Sequence, residues 1–594
     1  MFLRSQVRKK DGKVHAYWSV VENKRLLDGR VAQRQVLYLG EVNDSQREAW
    51  RKTLDAHSTD SDTTSQIALF PHDRPAPTDD ARVVQIRLDQ LSLHRPRQWG
   101  GCWLALELYR QLGLDSFFAD QLPASRKGTR WDRILRVLVT QRLLAPGSEW
   151  HLHRDWFERT ALADLLGEDF GLAEIHKLYA TLDQVLPLKE KLFDHLRDKW
   201  RDLFGAKYEV LLYDLTSTYF ETDMPEDPKD PRRHGYSRDH RPDCPQVVIA
   251  LVVTPEGFPL AYEVLPGNTA DNTTLKGFLE KIEARYGKAQ RVWLMDRGIP
   301  TEVVLEQMRA SDPPVNYLVG TPKGRLSVLE KDLLERKWET VRDGVKVKLL
   351  PQDGEVYVLA RSDGRVDKER AIRLKKLDRL IKRLHELRRQ LPERDQLLMA
   401  LGAAKKEAGR FYALLKITVP GADQAVSAET FSFRMDRARL RVVRRREGSY
   451  LLRSNLTGKT PGELWSYYMQ LVQVEEAFKN LKGDLALRPV YHQKMERIQA
   501  HILVAFISYT LHVCLRQRLK AVASGLTPRA VLEKFCAVQM VDVHLPTTDG
   551  RTVILTRHTQ PEKELQILLE QLKLTLPEQP PPKISSTSVA ALSV

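Results

Sequence analysis

Three carboxylates stand where chemistry could use them. The runs Tyr208-Glu209-Val210-Leu211-Leu212-Tyr213-Asp214 and Arg291-Val292-Trp293-Leu294-Met295-Asp296 are short and apolar, and each closes on an aspartate. Runs apolar at consecutive positions suit strands covered on both faces, and ligand sites in open α/β sheets gather where such strands end. An aspartate after a strand is also an ordinary turn former or helix cap. The third acid, Glu475, lies in the stretch 467–482. There Leu471, Val474, Phe478, Leu481 and Leu485 recur at steps of three and four, marking one apolar stripe on a helix. Tyr468, Glu475 and Lys482 are spaced by sevens, which leaves them only ~20° out of line per step, in a row beside that stripe. Glu476 is expected about 100° further round, pointing toward water. Such rows also arise by coincidence in amphipathic helices, where they form structural ion pairs. Two strand-end aspartates and a helix glutamate together make an oxygen-rich set able to hold hard divalent cations.

The order Asp214, Asp296, Glu475 resembles that of the Asp-Asp-Glu transposases of bacterial insertion sequences. The likeness is greatest to the group with a long insertion before the glutamate and a Tyr-x2-Arg-x3-Glu-x6-Lys signature around it. Tyr468, Glu475 and Lys482 match that spacing, whereas Leu471 occupies the arginine position. The stretches DLTSTYFE, HGYSRDHRPD, PGNTADNTTL and RPVYH carry further specificity, and the resemblance runs from about Phe2 to the region of Pro561.

This resemblance implies an α/β fold with a ribonuclease H-like catalytic core, a mixed sheet with helices. It implies two Mg²⁺ ions, replaceable by Mn²⁺, with Asp214 bridging both, Asp296 holding one and Glu475 the other. The expected reaction is hydrolysis at the ends of a mobile element, followed by attack of the freed 3′-OH on a second phosphodiester. Tyr468 and Lys482 are expected to hold a phosphate near the cut, the phenol by a hydrogen bond and the ammonium as a point charge. Arg238, Arg241, Arg297, Arg488 and His492 complete the expected DNA contacts. The implied partners are double-stranded DNA, as terminal inverted repeats and target, and a second copy of the chain in a synaptic homodimer. With leucine at 471, a hairpin DNA intermediate is not assumed. The alternatives are a metal-dependent nuclease of the same core without joining activity, and a non-catalytic, transposase-derived DNA-binding protein.

Composition sets looser bounds. The 594 residues suffice for several domains with real cores. Ninety-four basic against 78 acidic residues give a net charge of +16, which favours a polyanionic partner without specifying one. Cys102, Cys244, Cys514 and Cys536 are far apart and form no CxxC, as expected of reduced structural thiols in a cytosolic protein. The opening Met1-Phe2-Leu3-Arg4 leads straight into charged sequence rather than a signal peptide, and 247–253 is too short to span a bilayer. A cytoplasmic, nucleoid-associated bacterial protein with no membrane partner is expected.

Elements must bring the three acids together. Residues 1–90 read as a small β-rich domain, with strands at 15–21 and 34–39, plus a Ser-, Thr-, Asp- and Pro-rich linker at 58–80. Residues 91–205 read as helical, with Ser148 as a cap and His151, Arg154, Trp156 and Arg159 beyond it. Interleaved basic and aromatic residues suit a DNA-binding module and an ordinary bundle alike. Residues 206–320 hold strand, hairpin, helix and strand, the first part of the core, with Asp271 as a helix cap. The proline- and charge-rich loop 224–245 carries Arg238 and Arg241 and could guide a DNA backbone. The 179 positions from Asp296 to Glu475 (475 − 296) are too many for a loop, so 321–448 reads as an α+β insertion domain. Its basic helix has Leu377, Leu380, Leu384, Leu387 and Leu391 at three-four spacing, which suits coiled-coil packing, DNA binding or both. Residues 449–545 return to the core, and 546–594 form a C-terminal extension, expected to be disordered from about Pro577.

Overall fold

A computed structural model describes residues 1–10, 13–25, 31–56, 86–125, 128–270, 275–286, 291–296, 300–321, 323–523, 525–548 and 550–585. The expected linker at 58–80 and the expected cap Asp271 lie outside the described residues.

Strands β1 (Phe2–Lys10), β2 (Lys13–Arg25) and β3 (Val31–Gly40) form an antiparallel sheet. After β4 (Ser92–Gln98) the chain is helical to Phe204, and Ser148 accepts a hydrogen bond from the His151 amide, 3.2 Å, as the cap of a short turn. Next come β5 (Val210–Tyr219), β6 (Gln246–Val253), β7 (Pro259–Pro266), β8 (Val292–Met295) and β9 (Asn316–Gly320). The hairpin between β6 and β7 turns at Gly257, whose φ of +90° suits a residue without a Cβ. β6 and β8 are buried along their whole length, as strands covered on both faces must be.

The stretch 321–448 does not leave the sheet. β10 (Glu339–Arg342), β11 (Val345–Gln352) and β12 (Glu355–Ser362) extend it. The helix Asp363–Gln390 then packs Leu380, Leu384 and Leu387 against Leu397 and Leu401 of the helix Arg394–Ala408, a helical hairpin with its own core. A two-stranded ribbon of β13 (Leu415–Thr418) and β14 (Ser432–Met435) follows, and β15 (Ser449–Ser454) re-enters the main sheet between β12 and β9. The sheet has nine strands in the order β10-β11-β12-β15-β9-β8-β5-β6-β7. β5, β8 and β9 run parallel, and β6 is antiparallel to β5 and to β7.

The helix Met495–Val522 is long and apolar enough to cross a membrane, but 94% of its most apolar window is buried inside the protein. It packs against the helices Gly100–Gln111, Trp131–Leu144 and Ile175–Val185 on one side and against Val472–Lys482 on another. β16 (Gln539–Pro546), β17 (Thr552–His558) and β18 (Lys583–Ser585) form a second sheet with β4, in the order β18-β17-β16-β4. Of the stretch from Pro577, read from sequence as disordered, residues 577–585 are tied down by β18 and by Gln579, which bonds the His558 backbone, and the rest lies outside the described residues.

Candidate active site

The sheet makes neighbours of two distant aspartates. β5 and β8 are parallel and in register at Tyr213 and Met295, so the next residues, Asp214 and Asp296, fall side by side on strands about 4.8 Å apart. Asp214 does not end its strand. β5 runs on to Tyr219 because Leu215 to Tyr219 keep their antiparallel partners on β6, while its parallel neighbour stops at Met295. Asp214 therefore stands where one side of β5 loses its neighbour. It is half-buried, its Oδ1 accepts from the Leu215 amide at 2.8 Å, and Asp296 is exposed.

Glu475 arrives on the helix Val472–Lys482, which packs on β5 and β6 through Val474, Ala477, Phe478 and Leu481. The single helix expected across 467–482 is two, Pro461–Gln470 and Val472–Lys482, meeting at Leu471. Tyr468 thus belongs to the first and Glu475 and Lys482 to the second. Glu476, expected to face water, is instead half-buried and paired with Arg516 at 2.9 Å. That pair fixes the helix's rotation and leaves Glu475 on the open side.

The electrostatics tie these side chains together. Partial desolvation and then the charge of Asp296 raise the pKa of Glu475. Tyr468 is pushed up to about 12, first by burial, then by Tyr450, with Asp296 and Glu475 adding to the effect and Arg365 opposing it. Asp296 and Tyr468 share a cavity of about 250 Å³ with Arg365 and Tyr450. A divalent cation would relieve the cost of ionising Glu475 beside Asp296, so the set of three hard oxygen donors fits such an ion.

The expected DNA contacts are placed differently from one another. Lys482 Nζ meets Asp239 of the loop 224–245 at 2.8 Å, and Arg488 pairs with the same carboxylate. The Asp239 side chain is 5% exposed and Lys482 11%; burial lowers the lysine's pKa and Asp239 partly restores it. The Arg238 amide bonds Ser217 Oγ at 3.3 Å, and its guanidinium lies 5.8 Å from the Tyr236 ring. Arg241 is held by Glu221 and Asp243, both at 2.9 Å, over the Tyr219 ring. Arg297 lies outside the described residues. His492 does not join the acids. It is 8% exposed and its Nε2 meets Glu149 at 3.2 Å, beside His501. Glu149, His492 and His501 could be taken for a metal site, but the guanidinium of Arg142 lies 3.3 Å from His501 Nδ1 and already supplies a buried positive charge there.

Sequence reasoning missed Arg365 and Tyr450 at the acids because both come from the far side of the insertion and nothing in their spacing relates them to Asp296. Asp239 lay in the quoted stretch HGYSRDHRPD, without a role.

Residues 206–511 match the transposase DDE domain, and residues 3–66 match the N-terminal domain of IS1634 family transposases. No curated protein matches. A cryo-EM structure of a piggyBac transposase synaptic complex with hairpin DNA matches at 9% identity over 75% of this chain and 82% of that one, with a TM-score of 0.34.

Proposed function

Since the chain belongs to the insertion-sequence DDE transposases, metal-dependent enzymes that cleave DNA and transfer strands, we propose that Asp214, Asp296 and Glu475 are its acids. The observation that carries this is the parallel register that sets Asp214 beside Asp296, with Asp296 near enough to raise the pKa of Glu475, more than 170 positions away in sequence. The core is proposed to be ribonuclease H-like. Its support is the order β7-β6-β5-β8-β9, antiparallel for the first three strands and parallel for the last three, with the acids where β8 ends.

The three carboxylates would hold two Mg²⁺ ions, or Mn²⁺ in their place. Such ions, when bound, neutralise charge on the attacking and leaving oxygens of a phosphodiester. The chain's own residues do the rest. The Tyr468 phenol keeps its proton to about pH 12 and so donates a hydrogen bond to a phosphate oxygen at any working pH. The Glu476–Arg516 pair and the buried face of its helix hold Glu475 toward the aspartates. Lys482 and Arg488, gathered by Asp239, present positive charge about 10 Å along the helix from Glu475, given 1.5 Å of rise per residue. The DNA is proposed to be the terminal inverted repeats of the chain's own element and then a target, handled by a homodimer at the bacterial nucleoid.

Asp214→Asn, Asp296→Asn and Glu475→Gln are each expected to abolish Mg²⁺- or Mn²⁺-dependent nicking of duplexes carrying the element's terminal sequence while leaving gel-shift affinity near wild type. Undiminished nicking by one variant would remove that residue from the site. Joined products from the wild-type enzyme would separate a transposase from a nuclease of the same core.

A further inference from the structure

We propose that a cleft opening from the acids across the insertion holds one strand of DNA by its sugar-phosphate backbone, a proposal that rests on the acid site above. Arg365 and Tyr450 line the 250 Å³ cavity that contains Asp296 and Tyr468, and they also line an adjoining cavity of about 890 Å³. The two spaces therefore adjoin, with these two side chains at the waist between them. There the Arg365 guanidinium sits 3.8 Å from the centroid of the Tyr450 ring and pairs through Nε with Glu369 at 3.0 Å.

Beyond the waist the lining gathers cations from three separate parts of the chain. Arg342 comes from the end of β10, Lys368 from the first turns of the helix Asp363–Gln390, and Arg410 from the segment Gly409–Leu414. All three are exposed, and none forms an ion pair among the described residues. The acids of the cleft are Asp343, Asp363 and Glu369, the last occupied by Arg365 and by the Gly448 amide at 3.0 Å. The net surplus of charge is small, so the spacing of the cations carries the argument. Unpaired cations set apart along an open path suit an anion whose charges are likewise spaced along a chain.

The waist adds a second element of recognition. A guanidinium stacked on a phenol is a flat, polarised platform of the kind that holds an unstacked base without regard to its identity. The direction also fits. Along the Glu475 region, Tyr468 and the cleft lie on one side of the glutamate, while Lys482 and Arg488 lie on the other. A strand crossing the acids would be held at both flanks, by the Asp239-gathered pair on one side and by this cleft on the other.

The test compares duplexes carrying the element's terminal sequence, one ending flush at the cut and one continuing past it as a single strand. The variant Arg342→Gln/Lys368→Gln/Arg410→Gln removes three exposed charges and the ring contacts of Arg342 with Trp465 and Arg410 with Phe411, so its melting temperature is expected to stay close to wild type. Its slope of log affinity against log salt should fall by about 2 on at least one duplex, at roughly 0.7 per single-strand phosphate contact. Arg365→Lys keeps the charge and removes the stack, and is expected to lose affinity for the extended duplex with little change in slope. An unchanged slope and affinity on both duplexes in the triple variant would overturn the proposal. A wild-type enzyme that binds with the expected slope but never nicks would count against the acid site and leave the cleft standing.

Discussion

Asp239 pairs with two cations, Lys482 and Arg488, and so leaves one positive charge over, from a loop that enters the chain more than 200 residues earlier. Breaking a buried pair from one side leaves the other charge stranded at a cost of about 3–5 kcal/mol, whereas removing both partners is often close to neutral. Asp239→Asn is therefore expected to lower the urea midpoint markedly, and Asp239→Asn/Lys482→Met to recover most of the loss. A single variant as stable as wild type would show that the pair contributes nothing. Tyr468→Phe removes the hydrogen bond proposed to phosphate, and is expected to slow nicking about tenfold, from ~1.5 kcal/mol per bond, in single-turnover assays. At this scale the three acids stand out in the sequence because residue type, strand-end position and helix spacing all bear on them. His492 does not. It lies ten positions beyond Lys482, but the chain turns after Gly483 and takes His492 to Glu149, 343 positions upstream. No local pattern records such a partner. The partners of Arg241 were hidden for a related reason, since a basic residue in a loop reads as free until Glu221 and Asp243 are seen around it.

Among elements, the helical hairpin of the insertion is held by a cluster separate from the main core. Leu380, Leu384 and Leu387 face Leu397, Leu401 and Ala404, with Phe431 closing the end. Leu384 is fully buried, so Leu384→Ala is expected to cost about 2–5 kcal/mol. The loss should appear in hydrogen exchange as faster exchange across 363–408, while β5, β6 and β8 keep their protection. Equal loss in both would mean that the hairpin and the sheet unfold together. The three-four leucine spacing made this helix readable, and alternation made β2 and β3 readable. The membership of β10, β11 and β12 in the core sheet was not, because their link to it, β12 with β15, is fixed by contacts across 88 or more positions and not by the strand's own residues. The junction at Leu471 was also hidden. Its φ of −56° and ψ of −25° remain helical, so the apolar stripe crosses it without interruption.

For the whole molecule, two buried histidines on the helix Met495–Val522 set a pH dependence. His501 and His512 are each held down to about 4, chiefly by burial, against 6.5 for a free imidazole. The unfolded chain takes up protons below pH 6.5 that the folded chain refuses until about 4. Stability is thus full above 6.5 and falls as the pH drops between these values, by a few kcal/mol at ~1.4 kcal/mol per unit. Urea midpoints at pH 7.5 and 5.0 measure it, and His501→Asn should flatten the difference. The same helix reaches across the molecule: helices from 100–185 wrap one side, and the Glu475 helix sits on another. A fragment spanning 206–545 would expose its apolar faces to water, and is expected to lack a cooperative melting transition by circular dichroism. Among the described residues, the helices of 100–185 and the Glu475 helix share this one packing partner, so neither can be exchanged without the other. An engineer who alters either side of this helix must therefore redesign the packing around it in place and not graft a foreign module onto a portable engine.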